Sequence, residues 1–190
     1  MKKFTVIILG FALVFLAGCV VSSIYPYYTA KDLIFDPALL GTWGDAEKTN
    51  DNNEVWLFEK IEAQTYKMTI RDSGETNAFD SHLFILGGQK FLDSLPRDRV
   101  DYHTPEHFLF RIKSMTPTLE LQFLDYEWLT KLVEQNPKAI RHIIVPNEAG
   151  HTNEGGRLTL TADTAELQKF LRKHLNNTNA WVKPIVLTKR

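Results

Sequence analysis

From residue 55 to residue 123 apolar and polar positions alternate in short runs, and each run ends in a polar or glycine-rich turn. Tyr66, Met68 and Ile70 alternate with Lys67, Thr69 and Arg71, so one face is apolar and the other wet. Phe108, Phe110 and Ile112 alternate with Leu109, Arg111 and Lys113, and Leu119, Leu121 and Phe123 alternate with Glu120 and Gln122. The run 55–59 carries Trp56 and Phe58 on one face, and the run 79–86 stops at Gly87-Gly88, a pair suited to a tight hairpin. Residues 89–95 follow and stop at Pro96. With Gly41-Thr42-Trp43 these make about seven short strands at regular spacing, the signature of an antiparallel sandwich or barrel.

After residue 124 the period changes. Asp125 can cap a helix over 125–136 whose apolar stripe is Trp128, Leu129, Leu132 and Val133, and Asn136-Pro137 ends it. A second helix opens at Asp163, with Glu166 at capping-box spacing, and buries Leu167, Phe170, Leu171 and Leu175. Residues 139–145 read equally as helix or strand. A loop over 146–156, a short strand at 158–161 and a closing strand over 181–188 complete the chain, with Pro184 implying an edge or bulge in the last. The class is therefore mainly β (α+β), an antiparallel up-and-down meander closed into a barrel or half-barrel. Its two C-terminal helices pack on the sheet or plug one end.

Upstream of the strands, Lys2 and Lys3 precede an apolar run over 4–16 and then Leu16-Ala17-Gly18-Cys19. A positive head, a short apolar core and small residues at the exit make a secretory signal peptide. The tetrapeptide resembles the lipobox of bacterial lipoproteins. That resemblance implies cleavage between Gly18 and Cys19 and lipidation of Cys19, the only cysteine of the chain. An uncleaved helix over 1–21 is the competing reading, because it just reaches the roughly 20 residues a span needs. The expected organisation is a signal peptide over 1–18, a lipidated N-terminus and tether over 19–36, and one domain over 37–190. The aromatics of Tyr25-Pro26-Tyr27-Tyr28 are expected near lipid headgroups or on the domain.

Leu39-Leu40-Gly41-Thr42-Trp43 resembles the G-x-W signature that opens the first strand of lipocalin-type barrels. The resemblance implies that Trp43 plugs the closed end of the barrel and that a basic residue near the last strand, Lys189 or Arg190, packs over it. The helix over 125–136 departs from that pattern.

Loss of residues 1–18 removes Lys2 and Lys3 and leaves 20 basic against 23 acidic residues, a net charge near −3. That balance gives no footprint for nucleic acid. With no cysteine after Cys19, the domain folds without disulfides.

Catalytic motifs are lacking: there is no G-x-S-x-G elbow, no phosphate-binding glycine loop and no zinc-protease helix, so the chain is not expected to be an enzyme. His103 and His107 are four apart, but Pro105 between them defeats a helical pair, and a third ligand would have to come from His82 or His151. His142 and His151 likewise lack ligand spacing. No metal or cofactor is expected.

Two functions remain. In the first, a lipid-anchored envelope protein holds a small apolar or amphipathic ligand in its barrel, with Tyr66, Met68, Phe108 and Phe110 lining the pocket. In the second, the core is filled and the protein is a structural or protein-interaction lipoprotein with an envelope partner. In both, the lipid on Cys19 holds it to a membrane, and Val20 in place of an aspartate implies the periplasmic face of an outer membrane where the organism has one.

Overall fold

The computed structural model describes residues 21–45, 54–97, 106–145 and 157–190. Alternation becomes strands where the pattern demands it. In order these are β1 (Ser22–Ser23), β2 (Gly41–Gly44), β3 (Val55–Lys60), β4 (Thr65–Asp72), β5 (Glu75–Leu86) and β6 (Gln89–Pro96). They continue as β7 (His107–Ser114), β8 (Thr118–Gln122), β9 (His142–Val145), β10 (Arg157–Leu160) and β11 (Ile185–Lys189). The hairpin between β5 and β6 pairs Leu86 with Gln89 across Gly87 and Gly88, whose φ values of 58° and 78° lie in the left-handed region that glycine adopts freely.

Strands β2 to β8 form a meander, and β11 lies between β8 and β2; β6 also pairs with β7, so these eight antiparallel strands close into a barrel. Strand β7 is the branch point. Its C-terminal half pairs with β8, whereas His107 and Phe108 pair with Ser23 and Ser22 of β1. From there β10 runs parallel to β1, and β9 closes the extension antiparallel to β10. Residues 139–145, undecided from sequence, thus include an edge strand.

Both helices begin where expected. α1 (Tyr126–Gln135) is capped by Asp125, whose carboxylate accepts from the Trp128 amide at 2.8 Å. α2 (Thr164–His174) is capped by Asp163, which accepts from the Glu166 amide at 3.0 Å. They pack on the sheet. Their apolar faces meet the outward side chains of β5, β6 and β7 (Phe84, Leu86, Phe91, Leu109) in one buried cluster. A second cluster fills the barrel, drawing Trp43, Trp56, Phe58, Tyr66, Met68 and Phe110 to its axis. The wall β5–β6–β7 therefore separates two cores.

The expected tether is part of the folded domain. Val21 and Tyr27 are buried, β1 is hydrogen-bonded on both sides, Leu33 bridges Phe84, and the Ile34 amide donates to Leu83 O at 2.9 Å. This moves the domain boundary from residue 37 back to at least Val21. The reason is chemical: the segment is too apolar to stay in water, and free backbone edges on β5 and β7 accept it.

Candidate functional site

The barrel interior, where sequence places a ligand pocket, is packed. Trp56, Tyr66, Met68, Leu83, Leu92 and Phe110 are each 0% exposed, so not even a water molecule fits against them. Phe110 meets Trp56 edge-on at 5.6 Å and Phe123 at 4.7 Å between ring centroids. Of the four pocket residues named from sequence, Tyr66, Met68 and Phe110 stand together in this core. Phe108 lies nearer the other end and is partly exposed, edge-on to Phe79 at 6.3 Å. The one polar pair on these inward rows, Ser81 and Ser94, bonds to itself at 2.8 Å between hydroxyls.

One end of the barrel is closed by residues 33–40. The Asp36 amide donates to the Tyr66 hydroxyl at 2.7 Å, and that hydroxyl donates back to Asp36 O at 3.1 Å, so the phenol expected to face a ligand ties down the plug instead. Lys90 holds the Asp36 carboxylate at 2.7 Å, and this lowers the carboxyl from its ordinary value. A single 3-10 turn, Pro37–Leu39, drops Leu39 into the barrel, where its carbonyl accepts from Trp43 Nε1 at 2.9 Å. Over the Trp43 ring sits Lys189, its Nζ 5.2 Å from the centroid. Of the two basic residues that the lipocalin resemblance offered for this position, Lys189 occupies it.

A polar cluster on the outer face was not read from sequence. Asp93 on β6 is 1% exposed, with Oδ1 2.6 Å from His107 Nδ1 and Oδ2 accepting from the Tyr27 amide at 2.8 Å. His82 stands opposite Asp93 in register, with its Nε2 3.2 Å from Thr65 Oγ1 and its ring 4.9 Å from Tyr28. Helix α2 secures the same segment: Thr164 Oγ1 donates to Pro26 O, and Gln168 Nε2 donates to Tyr27 O and Asp32 Oδ2. Together Asp93, Thr164 and Gln168 fasten residues 26–32 as a strap across the barrel. His107, weighed from sequence as a metal ligand, is thus engaged by a carboxylate. His103, His151, Gly18 and Cys19 lie outside the described residues. Among the described residues no group of three or more histidine, cysteine or acidic side chains is placed to hold a metal. One signal was available for Asp93: a lone carboxylate inside the apolar run Phe91-Leu92-Asp93 has to find a partner.

Burial holds the His82 imidazole below its ordinary value of 6.5, against the pull of Asp93, Asp80 and Glu62; His107 pushes in the same direction as burial. The unfolded chain therefore takes up this proton first as pH falls, and stability declines from about pH 6.5 downward. Urea unfolding at pH 7.5 and pH 5 is expected to show the loss. His82→Gln is expected to flatten that dependence; an unchanged slope would exclude His82 as its source.

No protein-family model, curated protein or solved structure matches this chain. Its function is therefore argued from its own geometry.

Proposed function

We propose that this protein is a lipid-anchored component of the bacterial cell envelope whose barrel is a solid scaffold, working through its outer surfaces rather than by carrying a ligand inside. The filled interior carries this reading. Six inward side chains without accessible surface leave a small molecule no room along the central part of the barrel. The carrier reading keeps one observation in its favour, the partial exposure of Phe108 beside Phe79, and confines any apolar ligand to that end.

Anchoring rests on Leu16-Ala17-Gly18-Cys19 and gains a consequence from the fold. Val21 is buried and Ser22–Ser23 are in the sheet, so the two residues from Cys19 to Val21 give at most about 7 Å of reach. A lipid on Cys19 would hold the folded domain directly at the headgroups. Of the tyrosines expected there, Tyr25 is exposed, Tyr27 is buried and Tyr28 rests on His82.

Two measurements test the proposal. Cys19→Ala is expected to move the protein out of the membrane fraction, and unchanged fractionation would favour the uncleaved helix. Native mass spectrometry of the protein extracted from membranes is expected to show no bound apolar small molecule beyond the anchor. A stoichiometric apolar ligand would restore the carrier reading.

A further inference from the structure

Outside the barrel, a cleft of about 300 Å³ opens between β7, β8 and the segment after α2. Arg111, Lys113 and Gln122 line it from the sheet; Asn176, Thr178 and Trp181 face them. We propose that this cleft binds a compact organic anion, a carboxylate or phosphate ester of roughly ten non-hydrogen atoms by volume.

Arg111 and Lys113 are two cations on one face of β7, and among the described residues no acidic one lines the cleft. Among the described residues neither forms an ion pair. Glu120, which follows in register on β8, accepts instead from Thr118 Oγ1. Arg111 is held in a fixed pose. Its guanidinium lies 5.1 Å from the centre of the Trp181 ring, and Nη2 donates to Gln89 Oε1 at 3.2 Å. Trp181 is anchored in turn by donation from Nε1 to His174 O at 3.3 Å. Burial lowers Arg111 from its ordinary value, the mark of a cation partly stripped of water without a counter-charge.

Lys113 falls where the pairing of β7 with β8 slips between Ile112 and Ser114. Two residues on from Arg111, Lys113 shares its face of the strand and lines the same cleft. A neighbouring cleft of about 450 Å³ makes the contrast: it shares Lys113 and adds Lys90, but there Asp36 supplies a carboxylate, 2.7 Å from Lys90. Of these two clefts, the one at Arg111 has no carboxylate among its described lining residues. A planar guanidinium held in place, with an ammonium beside it, suits the oxygens of a phosphate or carboxylate. The inference stands apart from the lipid anchor, since it uses no residue before Gln89.

Titration of phenyl phosphate into the full-length protein in neutral detergent, followed calorimetrically, tests it. Saturable one-site binding is expected, weakening with added salt and absent for benzyl alcohol, the uncharged analogue. Arg111→Gln is expected to weaken binding by about tenfold or more and Lys113→Ala by several-fold, while Lys67→Ala leaves it unchanged. Lys113 is exposed and, among the described residues, unpaired, so its variant decides the matter should Arg111→Gln fail to fold. No saturation at about 10 mM, weaker than any affinity expected of a built site, would overturn the proposal. So would equal binding of benzyl alcohol, or affinity that survives both substitutions.

Discussion

Trp56→Ala is expected to lower the unfolding free energy by about 3–5 kcal/mol, the range for deleting a large aromatic side chain from a packed core. The side chain is fully buried, and its ring contacts Phe58 at 6.4 Å and Phe110 at 5.6 Å. Its Nε1 also donates to Glu54 Oε1 at 2.7 Å. A closed ring of strands cannot collapse onto the void as a loop or a helix face can, so the upper part of the range applies. Urea unfolding followed by far-UV circular dichroism measures the loss. A cost below about 1 kcal/mol would mean that the indole borders open space already, and the solid-barrel reading would fall with it.

Asp93→Ala is expected to cost about 3 kcal/mol, because removing a buried carboxylate leaves its hydrogen-bond partners unsatisfied, at about 1–3 kcal/mol each. Here the orphans are the His107 imidazole and the Tyr27 amide. The damage is expected to spread along the strap. Amide protons of residues 22–34 are expected to exchange with solvent faster relative to those of β3 and β4, as a region opens once its buried contacts go. Asp93→Asn keeps an acceptor for the Tyr27 amide and is expected to cost less. Protection at Tyr27 that survives the alanine substitution would show that α2, through Thr164 and Gln168, holds the strap unaided.

Most strands were legible because one face of each is apolar and the pleat has a strict period of two. Tyr66, Met68 and Ile70 all point to the axis as alternation requires. Caps were equally readable, since Asp125 and Asp163 act within three residues of themselves. Two things were not. Strand β1 is two residues long, and its partners lie more than 80 positions away, so no local pattern announces it. The facing of Phe84 and Phe91 was the other: both look like barrel-filling aromatics, yet they stack on each other at 5.4 Å in the helix-side core. Periodicity reports which residues share a face. It does not say which face is inside when both are buried.

The site followed the same logic. Tyr66, Met68 and Phe110 stand in one buried core, but sequence cannot tell a lined pocket from a filled one, because the same residues build both. Arg111 and Lys113 read as the wet side of an alternating strand, and only the docking of residues 175–181 makes that side concave.

A wall with oil on both sides has a difficulty of its own. A one-residue slip of a strand normally drives apolar side chains into water, and that penalty keeps its alignment true. For β6 the penalty largely vanishes, because exchanging Phe91 for Leu92 replaces one greasy group with another on either surface. Asp93 restores it. Shifted by one, its carboxylate would point into the barrel, away from His107 and the strap. The single acid in that apolar run thus acts as an indexing pin, setting which residue of β6 stands opposite which on β5 and β7.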